Sequence, residues 1–220
     1  MKTICHFSDW HGMWLDLPEA DFYVCTGDML PNSLGHRTDW IYEEKFQRKF
    51  IKDNPIRIPG DKPVYCVRGN HDHVPIGNLF PHSLVREFNT DKLVEDSPYS
   101  GFNFLGIRGV QRIRGNSPEE ILPHELENRI TSAHKRLKPQ QKDLLVVTHC
   151  PPLNVMDDVS GYKATPSGHC GSARLYRLTQ MHARVHFFGH IHEHKGIKKH
   201  NGVIYSNAAT GINLIKLEDV

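Results

Sequence analysis

A chain of 220 residues, 38% hydrophobic and 24% charged, has enough apolar material for one ordinary core; disordered and fibrous classes are excluded, and a single domain over residues 1–220 is expected. Lys and Arg number 27 against 25 Asp and Glu, a net charge of +2, far below the excess of a protein that coats nucleic acid through its phosphates. Sixteen histidines are the one oddity of composition and direct attention to metal chemistry. No apolar run approaches the roughly 18 residues of a bilayer span, and Ser8-Asp9 interrupts the first apolar run before a signal-peptide core develops, so a cytoplasmic protein without a membrane partner is expected. Cys5, Cys25, Cys66, Cys150 and Cys170 are odd in number, widely spaced and without a CxxC pair, which suits free thiols in a reducing compartment and disfavours a thiolate zinc site.

Thr3 to Phe7, Asp21 to Thr26 and Pro63 to Val67 are short β-branched or aromatic runs that read as strands. Asp39 to Lys52 reads as a helix with Trp40, Phe46 and Phe50, and with them Ile41, near one face. A strand over Phe102 to Ile107 follows, then a helix over Pro123 to Leu137, a strand over Leu144 to Thr148, and a helix over Gly171 to His182 with Leu175 and Leu178 inward. Val185 to Phe188, Val203 to Tyr205 and Ile212 to Leu217 complete the strands, and His194 to Gly202 reads as a solvated hairpin closing on Asn201-Gly202. Gly and Pro clusters mark loops at Pro55 to Pro63, Gly109 to Pro118 and Pro151 to Gly171. The last is long enough for a substrate lid or a recognition loop. Arg108, Arg112 and Arg114 either line a rim or serve solubility. Strands mixed with helices predict a layered α/β fold.

Five of these strands end in Asp, Asn or His. Thr3 to Phe7 runs into Ser8-Asp9-Trp10-His11-Gly12, Asp21 to Thr26 into Gly27-Asp28, Pro63 to Val67 into Arg68-Gly69-Asn70-His71-Asp72, Leu144 to Thr148 into His149, and Val185 to Phe188 into Gly189-His190-Ile191-His192. In α/β sheets ligands bind beyond the carboxyl ends of strands, so the five clusters are expected on one rim. Alternate residues of an extended segment point the same way, which lets Asp9 with His11, and His190 with His192, face one site. Carboxylate, imidazole and carboxamide donors without thiolate suit two divalent ions among Mn, Fe, Zn and Ni, with manganese favoured. Asp28 stands at a central strand end between both pairs, and a carboxylate has two oxygens with which to bridge. Two such ions with two carboxylates and a hydroxide leave a small positive charge, attractive to an anionic ester. The glycines before Asp28, Asn70 and His190 permit tight turns.

The ordered set Asp9-x-His11, Gly27-Asp28, Gly69-Asn70-His71-Asp72, His149, Gly189-His190-x-His192 resembles the calcineurin-like metallophosphoesterase family over residues 4 to 192. Thr148 to Pro152, Gly171-Ser172, Phe188 to Glu193 and Ser206 to Ala208 further resemble its small, single-domain, phosphodiesterase-like branch, which includes metallophosphoesterase domain-containing proteins. The resemblance implies a four-layer αββα sandwich with the metal site at the carboxyl ends of the strands. It also implies that Asp9, His11, Asp28 and His192 hold one metal and Asp28, Asn70, His149 and His190 the other, with His71 above the site and not a ligand. Trp10 departs from the smaller residues common at that position and bears on the shape of the pocket floor.

The expected activity is a phosphodiesterase on a small phosphate ester, using a hydroxide that bridges both ions, with His71 as general acid positioned by Asp72. A phosphomonoesterase of the same fold, a nuclease, which near-neutral charge disfavours, and a weakly catalytic metal-binding interaction module are the alternatives. Oligomeric state is left open. Cys150 beside His149 reads as a buried thiol, since adjacent strand residues point to opposite faces. Of the remaining histidines, His169 and His194 stand closest to the motifs, while the others, His134 and His182 among them, read as surface or core residues.

Overall fold

The computed structural model describes residues 1–33, 39–81, 84–88, 92–94, 102–112, 117–139, 141, 143–159 and 168–218. Its elements run β1 (Lys2–Ser8), β2 (Phe22–Cys25), α1 (Trp40–Asp53), β3 (Val64–Cys66), β4 (Val85–Glu87), β5 (Lys92–Val94), β6 (Phe104–Ile107), β7 (Val110–Gln111) and β8 (Glu120–Ile121), then α2 (Pro123–Lys135), β9 (Leu144–Thr148), α3 (Ala173–His182), β10 (Ala183–Phe188), β11 (Gly196–His200), β12 (Val203–Asn207) and β13 (Gly211–Leu217). The β-branched and aromatic runs pair into a five-stranded sheet, β13-β1-β2-β3-β4, and a six-stranded sheet, β11-β12-β10-β9-β6-β5. Neighbours β1 to β4 are parallel, as are β12, β10, β9 and β6, while the edge strands β13, β11 and β5 are antiparallel. The parallel strands therefore end on common rims.

Period-two alternation divides the side chains of these strands among three apolar layers. Cys5, Phe7, Cys25 and Cys66 face outward onto Ile51 of α1. Ile4, Val24, Tyr65, Phe104, Val147 and Phe187 meet between the sheets, where the Tyr65 and Phe104 rings stack at 3.8 Å. Leu105, Val146 and Leu144 face the opposite side, against Leu126 and Ile130 of α2 and Leu175 and Leu178 of α3. The result is helix, sheet, sheet, helices: the αββα sandwich. Each fully buried Leu, Val or Phe contributes on the order of 1.5–3 kcal/mol of transfer free energy, enough for the layers to hold the rims in place. Side-chain caps set the helix starts, Asp39 accepting from the Tyr42 N–H and Ser172 from the Leu175 N–H.

Helix α1 departs from its apolar pattern. The spacing places Trp40, Ile41, Phe46 and Phe50 near one apolar face; Phe50 packs against the core, but Trp40 is 48% and Ile41 69% exposed, while Glu43, Gln47 and Ile51 are buried. The cause is the backbone of two loops that the helix covers. Glu43 accepts from the N–H and hydroxyl of Ser33, and Gln47 donates to the Pro31 and His71 carbonyls and accepts from the His73 N–H. Buried loop backbone without such partners would be strongly destabilising, so polar side chains occupy the stripe. Strands β4, β5, β7 and β8 are two or three residues long, too short to show a period in sequence. The β11–β12 hairpin closes as expected on Asn201 and Gly202, both at positive φ. No helix among the described residues is long and apolar enough to cross a membrane.

Candidate metal centre

Each strand end delivers its polar residues through a turn, not through a continued extended segment. Asp9, His11, Asp28 and His190 have φ of 58°, 46°, 52° and 73°, the left-handed region that non-glycine residues seldom occupy and that concentrates at functional sites. Alternation along an extended segment is therefore not what aims them. Asp9 and His11 do converge, but His190 and His192 part company: one set of ligand atoms comes from Asp9, His11 and His192, the other from Asp28, His149 and His190, each set within 4.8 Å. Gly27, at φ 94°, makes the turn expected of it. At Gly69 and Gly189 the reason is crowding, since a Cβ would collide with the Asp28 carboxylate in one case and with Asp9 and Ser8 in the other.

The two sets lie against each other. Asp28 Oδ2 is 3.2 Å from His149 Nε2, which is 3.1 Å from Asn70 Oδ1, so Asn70 joins the second set. His192 Nε2 is 3.1 Å from Asp9 Oδ1, and Asp9 also accepts from the Ser8 hydroxyl and the His190 N–H. His149 Nδ1 donates to the Thr26 carbonyl at 2.6 Å, which leaves Nε2 as the atom facing the centre, where a cation would take the place of its proton. Burial alone would raise the Asp9 and Asp28 carboxyls; His149, with His192 beside Asp9 and His71 beside Asp28, outweighs it and holds both below the usual carboxylate range. Burial likewise lowers His149, but the Asp28 and Asp9 carboxylates push it up to about 10. His190, lowered to about 4 by burial and by His149, offers a neutral imidazole. Buried ionised carboxylates, lone-pair imidazole nitrogens and a carboxamide oxygen, in a cradle that Cβ atoms would fill, fit two divalent cations.

Asp72 behaves differently from the sequence expectation, in which it positions His71. Asp72 does not hold the His71 ring. Its carboxylate accepts four backbone N–H groups, from Asp28, Met29, Leu30 and Gly69, and so ties the loop after β2 to the loop after β3. The ring is held instead by Asn32, whose Nδ2 donates to His71 Nδ1 at 2.8 Å and leaves the ring proton on Nε2. The His71 N–H donates to Asp28 Oδ1, and its ring lies 5.3 Å from that of His11. Sequence reasoning misses Asn32; the one available signal is an amide four residues past Asp28, on the same loop. Cys150 is buried with its thiol pushed up to about 12 by burial, in keeping with a structural role. Arg68 is paired with Glu87 at 3.6 Å and Glu119 at 3.3 Å, and Arg108 shares Glu119 at 2.6 Å. Arg114 and residues 160–167 of the long loop lie outside the described residues, while the loop's flanks meet at Pro152 with Ser172 and Asp158 with His169.

Residues 2–194 match the family model of calcineurin-like phosphoesterases, and the chain belongs to that family. With the two ligand sets, membership makes it a metal-dependent phosphoesterase by class. It is 28% identical over 170 residues to an uncharacterized protein of Methanocaldococcus jannaschii, a match spanning 71% of this chain and 72% of that one. Among solved structures, one covers 99% of this chain and 100% of its own at 14% identity with a TM-score of 0.59. Phosphopantetheinyl hydrolase (PptH) from Mycobacterium tuberculosis covers 95% of this chain and 89% of its own at 12% identity with a TM-score of 0.54. Both likenesses concern the fold.

Proposed function

We propose that this chain is a phosphodiesterase acting on a small phosphate ester, with two divalent ions, manganese favoured, held by Asp9, His11, Asp28 and His192 on one side and by Asp28, Asn70, His149 and His190 on the other. Such ions, when bound, supply Lewis acidity towards phosphoryl oxygens and acidify water. Asp28 is shared because its two oxygens have different neighbours, the His71 N–H on Oδ1 and His149 on Oδ2. Asn70 and His149, side by side at 3.1 Å, orient the phosphoryl group. His71, carrying its proton on Nε2, donates it to the departing oxygen, and Asn32 keeps the ring in that tautomer.

The observation that carries the diester reading is Arg68. A dianionic monoester gains from cationic side chains beside the ions, and the one arginine inside the motifs is engaged by Glu87 and Glu119. A singly charged diester asks for less. The five buried, unpaired cysteines support a reducing, cytoplasmic setting. The test is a comparison of kcat/KM for bis(p-nitrophenyl) phosphate and p-nitrophenyl phosphate with manganese-loaded protein. A higher value for the diester is expected, and a clearly higher value for the monoester overturns the ordering.

A further inference from the structure

Two histidines outside these motifs pack ring against ring much as His149 and His190 do in the metal centre. His134 lies in the last turn of α2 and His182 is the last residue of α3. Their rings stand with centroids 5.1 Å apart and planes at 71°, against 5.1 Å and 65° for His149 and His190 of the centre. The support behind the ring matches too. His182 Nδ1 donates to the Gln141 carbonyl at 2.6 Å, as His149 Nδ1 donates to that of Thr26, and a histidine so anchored presents a lone pair on Nε2. That Nε2 of His182 is buried and has no hydrogen-bond partner. An unmade hydrogen bond on a buried nitrogen is a cost that a ligand would remove.

We propose that His134 and His182 form a third metal site, two imidazoles that bind a borderline divalent ion of the Zn2+ or Cu2+ class between the C-terminal ends of α2 and α3. Two helix C-termini, each with partial negative charge, meet there and favour a cation. Both donors are nitrogen, so the Irving–Williams order favours copper and zinc over manganese more strongly than at the strand-end centre, where two carboxylates join the imidazoles. No carboxylate or thiol among the described residues extends the pair to a three-ligand group, so any further positions would have to be taken by water on the more open His134 side. Burial and the adjacent His182 also hold the His134 imidazole below its ordinary value, towards the neutral, ligating form. The ion would clamp α2 to α3 on the outer helical layer, and part of the unusual histidine content would belong to this clamp.

The test loads the full chain with Zn2+, removes loosely held metal by dialysis, and counts zinc per chain in wild type and in His134→Ala. His134 is the less buried partner, so its variant should fold, and unchanged diesterase activity with manganese verifies that it has. Wild type is expected to carry one zinc more than the variant, whose dissociation constant for that ion rises at least tenfold; His182→Asn should match the variant if it folds. Equal zinc content in wild type and His134→Ala overturns the proposal. Failure of the two-ion reading of the strand-end centre would look different, with fewer than two zinc ions per chain in His134→Ala and the difference of one preserved.

Discussion

The two halves of the metal centre are built to different depths. Asp28 and His149 are buried, whereas His192 opposite Asp9 leaves 42% of its side chain exposed and His11 is half-buried. In the deep half, burial opposes charge, and ionisation persists only because Asp28, Asp9 and His149 compensate one another. In the open half, His192 is raised chiefly by its hydrogen bond to Asp9, with water close by. The difference teaches that two chemically similar ligand sets need not hold their ions alike. The deep set should retain its ion through chelation that empties the open set, and the open set should face incoming substrate.

Asp28→Asn is the largest break in that comparison, because it removes the carboxylate that both halves are proposed to share. Activity should fall by on the order of 10⁴ or more, and elemental analysis should show both ions depleted, whereas Asp9→Asn should empty the open half and spare the deep one. Two tightly held ions in Asp28→Asn would mean that the halves are independent. His71→Ala comes next, since His71 leans on both halves, its N–H on Asp28 and its ring near His11. An alkyl or ribose ester should lose roughly 10² to 10⁴ in rate and an activated nitrophenyl ester much less. Equal losses, or lost metal, would make His71 a ligand or a substrate-positioning group. The smallest effect concerns pH in the metal-stripped chain. Because folding raises His149 from 6.5 to about 10, its contribution is full below pH 6.5 and is lost as the pH climbs through about 10. The lowered Asp9 and Asp28 contribute above their ordinary value and lose that contribution as the pH falls below it. The melting temperature of stripped protein should therefore fall between pH 6.5 and 9.5, and more steeply than that of metal-loaded protein, in which a cation takes the place of the proton; parallel slopes would show that His149 does not supply the compensating charge.

What was legible in the sequence was local. The runs ending at Ser8, Cys25, Cys66, Thr148 and Phe188 carry their own strand signal, and the polar residues beyond them mark the rim. Partners distant in sequence were not legible. Nothing near Glu43 or Gln47 announces that Ser33, Pro31, His71 and His73 need hydrogen bonds, so the apolar residues beside them do not reveal the polar stripe that α1 buries. The division of His190 and His192 between two ligand sets arises from a positive φ at one and a short 3₁₀ turn beginning at the other. Asp72 misleads for a related reason: adjacency to His71 suggests a side-chain pair, but the carboxylate turns back to four backbone donors.

Gly27, Gly69 and Gly189 let backbone press against backbone or carboxylate where even one methyl group would not fit. Walls that close cannot approach further, which sets a lower limit on the spacing of the donors they carry. Calcium is content with six to eight oxygens at about 2.3–2.6 Å in a pliable shell. With four imidazoles and two carboxylates, the two ligand sets offer far fewer oxygens than that, so calcium is expected to bind there more weakly than manganese, and an excess of calcium should leave the bound manganese in place.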